Sequence, residues 1–99
     1  MVVAADPELA RIVRLGSFER SALNEDELYR FGIFSRQRWL FFQGIWVQYN
    51  LGVLEESLWE SYQQVVCALL DAPGNLEEWP NHVIALNQDF ATWVRNCSS

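Results

Sequence analysis

The sequence contains no lysine, one histidine and two cysteines, and these scarcities exclude several classes of function. All seven basic residues are arginines, and thirteen acids outnumber them, so the formal net charge is −6. Binding to a nucleic-acid backbone needs clustered basic side chains that displace counterions, and this composition does not provide them. We therefore expect no nucleic-acid partner.

The cysteines and the histidine offer little chemistry. Cys67 and Cys97 are too few and too far apart in the sequence for a metal site or a CxxC redox motif. We expect a buried free thiol at Cys67, which lies in an apolar helical run, and an exposed thiol at Cys97. His82 follows Glu78 by four residues, and we expect it to face solvent or to cap a helix. Because one histidine cannot serve both a catalytic triad and a metal site, the sequence predicts no enzyme, no metal and no cofactor.

Long apolar runs are also missing. None approaches the ~20 residues that a membrane-spanning helix needs, and residues 1–5 lead directly into Asp6-Pro7 without the features of a signal peptide. The sequence therefore predicts a cytoplasmic protein. Apolar residues make up 51% of the chain and aromatic residues 14%, which favours a dense core over disorder. A chain of 99 residues is long enough for a single domain, over residues 1–99.

What the sequence does contain is one long helix, over about residues 24–51. Asn24 followed by Glu27 has the pattern of a capping box, and Gly52 suits the left-handed position after a helix. On a helical wheel, one broad face of this helix is apolar and largely aromatic. It is formed by Leu28, Phe31, Phe34, Phe41, Phe42, Ile45, Trp46 and Tyr49.

A second, thinner apolar row lies nearly opposite that face. It consists of Tyr29, Ile33, Leu40, Val47 and Leu51. A helix that is apolar on two sides needs a packing partner on each side. The second row therefore requires either another helix of the same chain or a second copy of the chain. Gly44 lies inside the helix, and we expect it to allow either close packing or a kink.

Shorter helices surround the long one. A helix at about 55–70 follows after a short connection, so we expect it to be antiparallel to the long helix. Asp6-Pro7 begins a short N-terminal helix that we expect Gly16 to end, with Phe18 docked into the core. Further on, we expect Pro80 to interrupt or restart a helix and Asn87 to cap the last one. The sequence thus predicts an all-α bundle around a long central helix.

Arg38 falls within the aromatic face of the long helix. A guanidinium there needs a carboxylate, a carbonyl or an anionic ligand, because an unpaired buried charge is costly. Three environments remain open for Arg38. Its side chain can reach the edge of the face, it can form an ion pair with Glu60 or Asp71, or it can bind an anion. Stacking on Phe42 or Trp46 is compatible with each of them. The candidate ligand pocket consists of Arg38, Phe42, Trp46, Trp59 and Tyr62.

Several segments occur in an order that resembles a group of uncharacterised small helical bacterial proteins. The segments are ADPELARIVRLGS, LNEDELYRF, FFQGIWVQYNLGVLEESLWESYQQ, LLDAPGN and DFATWV. The resemblance covers roughly residues 6–94 and departs from the group at Pro80, where relatives continue a helix. It implies a helical fold and no assigned activity. Many members look like soluble regions that follow an N-terminal membrane helix, and this sequence shows no such helix.

These observations favour a non-enzymatic protein-interaction module. We predict self-association, as a homodimer, through the second row at Tyr29, Ile33, Leu40 and Val47, with a different protein as the other possible partner. The alternative is the binding of a small anionic amphiphilic ligand in the aromatic pocket near Arg38.

Overall fold

The computed structural model describes residues 6–98 and is all-α. Over this range it contains α1 (Pro7–Phe18), a 3-10 turn (Arg20–Ala22), α2 (Glu25–Asn50), α3 (Glu56–Leu69), α4 (Pro73–Val83) and α5 (Gln88–Cys97). The predicted all-α bundle around a long helix is confirmed. The short apolar lead at residues 1–5 lies outside the described residues.

Local capping signals start three of the helices where the sequence predicts them. The Asp6 carboxylate accepts hydrogen bonds from two first-turn backbone amides of α1 at 3.1 Å. In α2, the Glu27 amide donates to Asn24 Oδ1 at 2.8 Å, and the Asn24 amide donates to Glu27 Oε1 at 3.0 Å. The Asn87 side chain caps α5. Each bond satisfies an amide that has no partner inside its own helix.

The two longest helices are antiparallel. Tyr49, near the end of α2, stacks on Trp59, near the start of α3, with ring centroids 4.3 Å apart. Phe42, two turns earlier in α2, meets Tyr62 further along α3 at 6.3 Å. Contacts therefore move backwards along α2 as they move forwards along α3. Gly52, at φ +77°, makes the left-handed turn that the sequence predicts between the helices.

The core lies between α2, α3 and the C-terminal helices. Trp39 of α2 packs edge-on against Trp79 of α4, with ring centroids 4.7 Å apart. The buried cluster around this pair also contains Phe42, Val66, Leu70, Leu86, Phe90, Ala91 and Val94. The broad aromatic face of α2 thus supplies much of the core.

Two glycines bring α1 against its neighbours. A Cβ at Gly16 would lie 2.4 Å from the Phe31 ring, and a Cβ at Gly74 would lie 1.6 Å from the Gly16 carbonyl oxygen. The expectation that Gly16 ends α1 is wrong, since its role is close packing and the helix continues past it to Phe18. That extension leaves Phe18 at the surface, 65% exposed, so its expected docking into the core is also wrong.

Pro80 lies inside α4 without ending it, so the expected interruption there is wrong. Proline cannot donate the backbone hydrogen bond that an interior helical position normally makes. Trp79 and His82 are both buried beside it, and their packing holds this part of the helix in place. The helix begins at Pro73, where the missing N–H costs nothing.

Cys67 and Cys97 form a disulfide that joins α3 to α5, so the expected pair of free thiols is wrong. The two residues are 30 positions apart in the sequence, but the packing of α5 on α3 brings their Cα atoms to 5.3 Å. That separation is within the range that a disulfide spans.

None of the helices within residues 6–98 combines the length and the apolar character that crossing a membrane requires.

Candidate functional site

The second row of α2 is exposed to solvent along the helix. Tyr29 is 70% exposed, while Ile33, Leu40 and Val47 are each 40–43% exposed. Leu51 continues the row and is 71% exposed. No helix within residues 6–98 buries this row as the core buries Trp39 and Phe42. An apolar strip of this kind is typical of a surface that contacts another molecule.

Gly44 lies on the second row between Leu40 and Val47. A Cβ built at this position would have no atom of the described chain within 4 Å. Close packing within the chain therefore does not explain this glycine, although a glycine inside an exposed helix costs up to ~1 kcal/mol relative to alanine. The gap left by the missing side chain lets another backbone approach α2 at this point.

The charges of α2 are absent from the part of the row that surrounds Gly44. The sequence has no charged residue from position 39 to position 54. Arg36 precedes this stretch and Glu55 follows it, and both are exposed. A contact over residues 39–54 would bury no charged side chain of this segment, which matches the depletion of charge in the centres of interfaces.

Arg38 lies on a different side of α2 and is only 8% exposed. Its Nη2 donates to Asn75 Oδ1 at 3.0 Å, and the guanidinium lies over the Phe34 ring at 5.1 Å. Its Nε has no hydrogen-bond partner within the described chain. Burial lowers the pKa of Arg38 to about 10, so the side chain keeps its positive charge at neutral pH.

The ion pair with Glu60 or Asp71, one of the alternatives left open for Arg38, does not form. Among residues 6–98, Arg38 forms no ion pair with Glu60, Asp71 or another acid. Asn75 is the partner instead, and its own Nδ2 donates to the Leu69 carbonyl at 3.0 Å. The side chain that faces the buried charge is therefore neutral.

A groove of about 330 Å³ opens beside Arg38 where α1, α2, α3 and α4 meet. Its lining comprises Ser17, Phe18, Arg38, Val65, Ala68, Leu69, Ala72 and Asn75. None of the four aromatic residues predicted to accompany Arg38 is in this lining. Phe42 and Trp59 are buried, and Trp46 and Tyr62 pack against the core cluster.

A second polar cluster involves Glu78 and His82, both of which are buried. Glu78 Oε2 accepts from Arg20 Nε at 3.0 Å and from Arg20 Nη2 at 2.6 Å. Glu78 Oε1 is 2.9 Å from His82 Nε2. The expectation that His82 faces solvent or caps a helix is therefore wrong: spacing by four places it on the same face of α4 as Glu78, and that face packs inwards.

No protein-family model, curated protein or solved structure matches the chain. The candidate sites therefore rest on geometry alone.

Sequence reasoning missed the polar partners of Arg38 and of Glu78. The sequence predicts no site role for Asn75, Ser17 or Arg20. The one local signal was the spacing of Glu78 and His82, which is compatible with a contact on one helix face. Pairings between distant segments, such as Arg20 with Glu78, leave no comparable pattern in the sequence.

Proposed function

We propose that the chain is a non-enzymatic protein-interaction module that forms a homodimer through the second row of α2. The observation that supports this most strongly is the exposure of Tyr29, Ile33, Leu40 and Val47. Burial of these side chains by the chain itself would have removed the need for a partner. Leu51, which is 71% exposed, continues the same apolar surface at the C-terminal end of α2.

A second copy suits this surface because an antiparallel pair of α2 helices is self-complementary. If the two-fold axis crosses the helix pair at the level between Ile45 and Trp46, Gly44 of each copy faces Val47 of the other. The same register places Leu40 opposite Leu51. A β-branched side chain then fits over a glycine, and Leu40 meets Leu51. Tyr29 and Ile33 lie outside the overlap of the two α2 helices, which end at Asn50.

The charges that flank the uncharged stretch have opposite signs, Arg36 within α2 and Glu55 at the start of α3. Arg36 of one copy then lies beyond the C-terminal end of α2 of the other, where the turn at Gly52 leads to Glu55, and the two-fold axis repeats this arrangement. Opposite charges at the rim of an interface fix the register and steer association more than they add affinity. A parallel pairing would instead place Arg36 beside Arg36, which is unfavourable.

Leu40→Glu tests the proposal because it introduces a charge into the middle of the row. We expect light scattering over a hundredfold concentration range to show a dimer for the wild type and a folded monomer for the variant. Since Leu40 is 43% exposed, the substitution should leave the helical circular-dichroism spectrum unchanged.

Ile84→Glu is the matched control, because Ile84 is an exposed apolar residue outside α2. This variant should remain dimeric. A wild type that is monomeric at every concentration would contradict the homodimer. So would a Leu40→Glu variant that dimerises as strongly as Ile84→Glu.

The disulfide bears on the compartment in which the module works. Disulfides persist in oxidising environments and are rare in the cytoplasm. The cytoplasmic location predicted from the sequence stays untested, and the Cys67–Cys97 bond favours an oxidising compartment instead. Membership of the group of small helical bacterial proteins is likewise a proposal that rests on the order of the sequence segments.

A further inference from the structure

The groove beside Arg38 is independent of the second row, because Arg38 points from a different side of α2. It combines a buried positive charge with an opening to solvent. A guanidinium has five N–H donors, and within the described chain Arg38 donates one hydrogen bond, to Asn75. An amide oxygen carries no full negative charge, so Asn75 does not neutralise the guanidinium. A buried charge of this kind is stabilised by an anion.

The start of α4 adds positive potential to the same groove. Ala72 is the N-cap of this helix and provides no capping side chain, and both Ala72 and Asn75 line the groove. The N-terminal end of a helix carries a partial positive charge that favours anions. Two independent features, the buried guanidinium and the uncapped helix start, therefore point to a negative ligand.

The rest of the groove is apolar. Phe18 is 65% exposed and Val65 is 51% exposed, and Ala68 and Leu69 lie beside Val65 in the lining. No acidic side chain lines the groove. A volume of about 330 Å³ is at the lower end of the range for small-molecule sites, so it suits a short apolar body.

We propose that this groove binds a small organic carboxylate, with the carboxylate at Arg38 and a short apolar chain on Phe18, Val65 and Ala68. A singly charged carboxylate matches the single guanidinium, and its oxygens are the acceptors that arginine pairs with best. Asn75, fixed by the Leu69 carbonyl, positions the guanidinium for the ligand.

Octanoate is the probe for this site. We expect octanoate to shift the Arg38 Nε–H signal and the Ala68 amide signal of ¹⁵N-labelled protein in a saturable manner. Octylammonium, which has the same chain and the opposite charge, should cause no saturable shift. Inorganic phosphate tests the charge without the apolar chain and should bind more weakly than octanoate.

Two variants test the residues, with one control. Arg38→Met should weaken octanoate binding by about tenfold or more, because a charge-assisted hydrogen bond is lost. Val65→Asp places a carboxylate at the exposed mouth of the groove and should weaken binding without disturbing the core. Arg95→Met removes an exposed arginine of α5, outside both the groove and the second row of α2, and should leave the affinity unchanged.

The proposal is overturned if octanoate gives no saturable shift, or if octylammonium binds equally well. It is also overturned if Val65→Asp binds octanoate as tightly as the wild type, a result that does not depend on the folding of Arg38→Met. Phosphate binding as tight as that of octanoate would show that Phe18, Val65 and Ala68 do not contribute to binding. Light scattering of Val65→Asp should still show the dimer, so failure of this site and failure of the α2 interface are distinguishable.

Discussion

Gly74, near the start of α4, lies directly against the carbonyl oxygen of Gly16 in α1. A Cβ at position 74 would stand 1.6 Å from that oxygen and 2.9 Å from the carbonyl carbon of Ser17. These are backbone atoms, so a rotamer change cannot relieve the overlap. The contact sets how closely α1 approaches α4, and therefore the shape of the groove beside Arg38.

Gly74→Ala should consequently separate α1 from α4 and lower the free energy of unfolding by about 3 kcal/mol or more. Urea unfolding followed by tryptophan fluorescence measures this change. Gly32→Ala is the matched control, because its Cβ would meet only the Glu78 side chain, at an ordinary van der Waals distance of 3.5 Å. That variant should be neutral or more stable, by up to ~1 kcal/mol. Equal stabilities of the two variants would contradict the close contact.

Glu27 should give the fold a pH dependence. The Glu27 carboxylate accepts hydrogen bonds from the Arg11 guanidinium and from the Asn24 amide, and these hold the pKa of the carboxyl below its ordinary value of 4.5. Because the pKa is lower in the folded state, this stabilisation is complete above the unfolded-state pKa and is lost as the pH falls through the folded-state pKa.

Glu27→Gln tests this charge while keeping a side chain that can accept the Asn24 amide bond. Between neutral pH and about pH 3, the wild type should lose more stability than the variant. Urea unfolding at both pH values measures the difference. An identical loss in both proteins would show that the carboxylate of Glu27 contributes no pH-dependent stability.

Reduction of the Cys67–Cys97 disulfide should destabilise the fold. The bond closes a long loop, with 30 positions between its ends, and so restricts the unfolded chain. Cys67→Ala combined with Cys97→Ala should lower the free energy of unfolding by about 3–4 kcal/mol relative to the oxidised protein. Dithiothreitol should lower the free energy of unfolding of the wild type and leave that of the double variant unchanged. Two reactive thiols in the untreated, denatured protein would contradict the bond.

The features that sequence reasoning predicted correctly depend on neighbouring residues. Asp6, the Asn24–Glu27 box and Asn87 start helices through bonds to amides two or three positions away. Gly52 ends α2 through its own backbone conformation. The two apolar faces of α2 follow from the helical period alone, so the second row could be predicted. Whether the same chain covers it was left open, and the structure shows it exposed.

The features that were missed depend on which segments pack together. Arg38 was placed correctly on the aromatic face, but its partner Asn75 is 37 positions away in another helix. The disulfide has the same origin, since spacing in the sequence does not report the distance between α3 and α5. Pro80 shows the limit of a local rule, because packing of Trp79 and His82 outweighs the loss of one backbone hydrogen bond.

Exchanging the charges of Arg36 and Glu55 tests whether Arg36 of one copy approaches the start of α3 of the other in the proposed homodimer. Arg36→Glu alone and Glu55→Arg alone should each weaken dimerisation, by about 0.5–1 kcal/mol for each of the two symmetric pairs, because like charges then meet. The double variant should recover the wild-type affinity. Sedimentation equilibrium at low salt measures all four proteins. Weakening that the double variant does not reverse would exclude a contact between Arg36 and Glu55 in the dimer.

Gly44→Ala should have opposite effects on the stability of the monomer and on the affinity of the dimer. Within the chain the new methyl group meets nothing within 4 Å, so the monomer should gain up to ~1 kcal/mol from the better helix former. In the proposed dimer the same methyl group meets Val47 of the second copy, and overpacking there should cost about 1–3 kcal/mol. Urea unfolding at protein concentrations below the Kd of the dimer measures the stability of the monomer. Sedimentation equilibrium at concentrations above the Kd measures dimerisation. Opposite signs are expected only if another backbone approaches α2 at Gly44. A variant that is more stable and dimerises as well as the wild type would place the interface elsewhere.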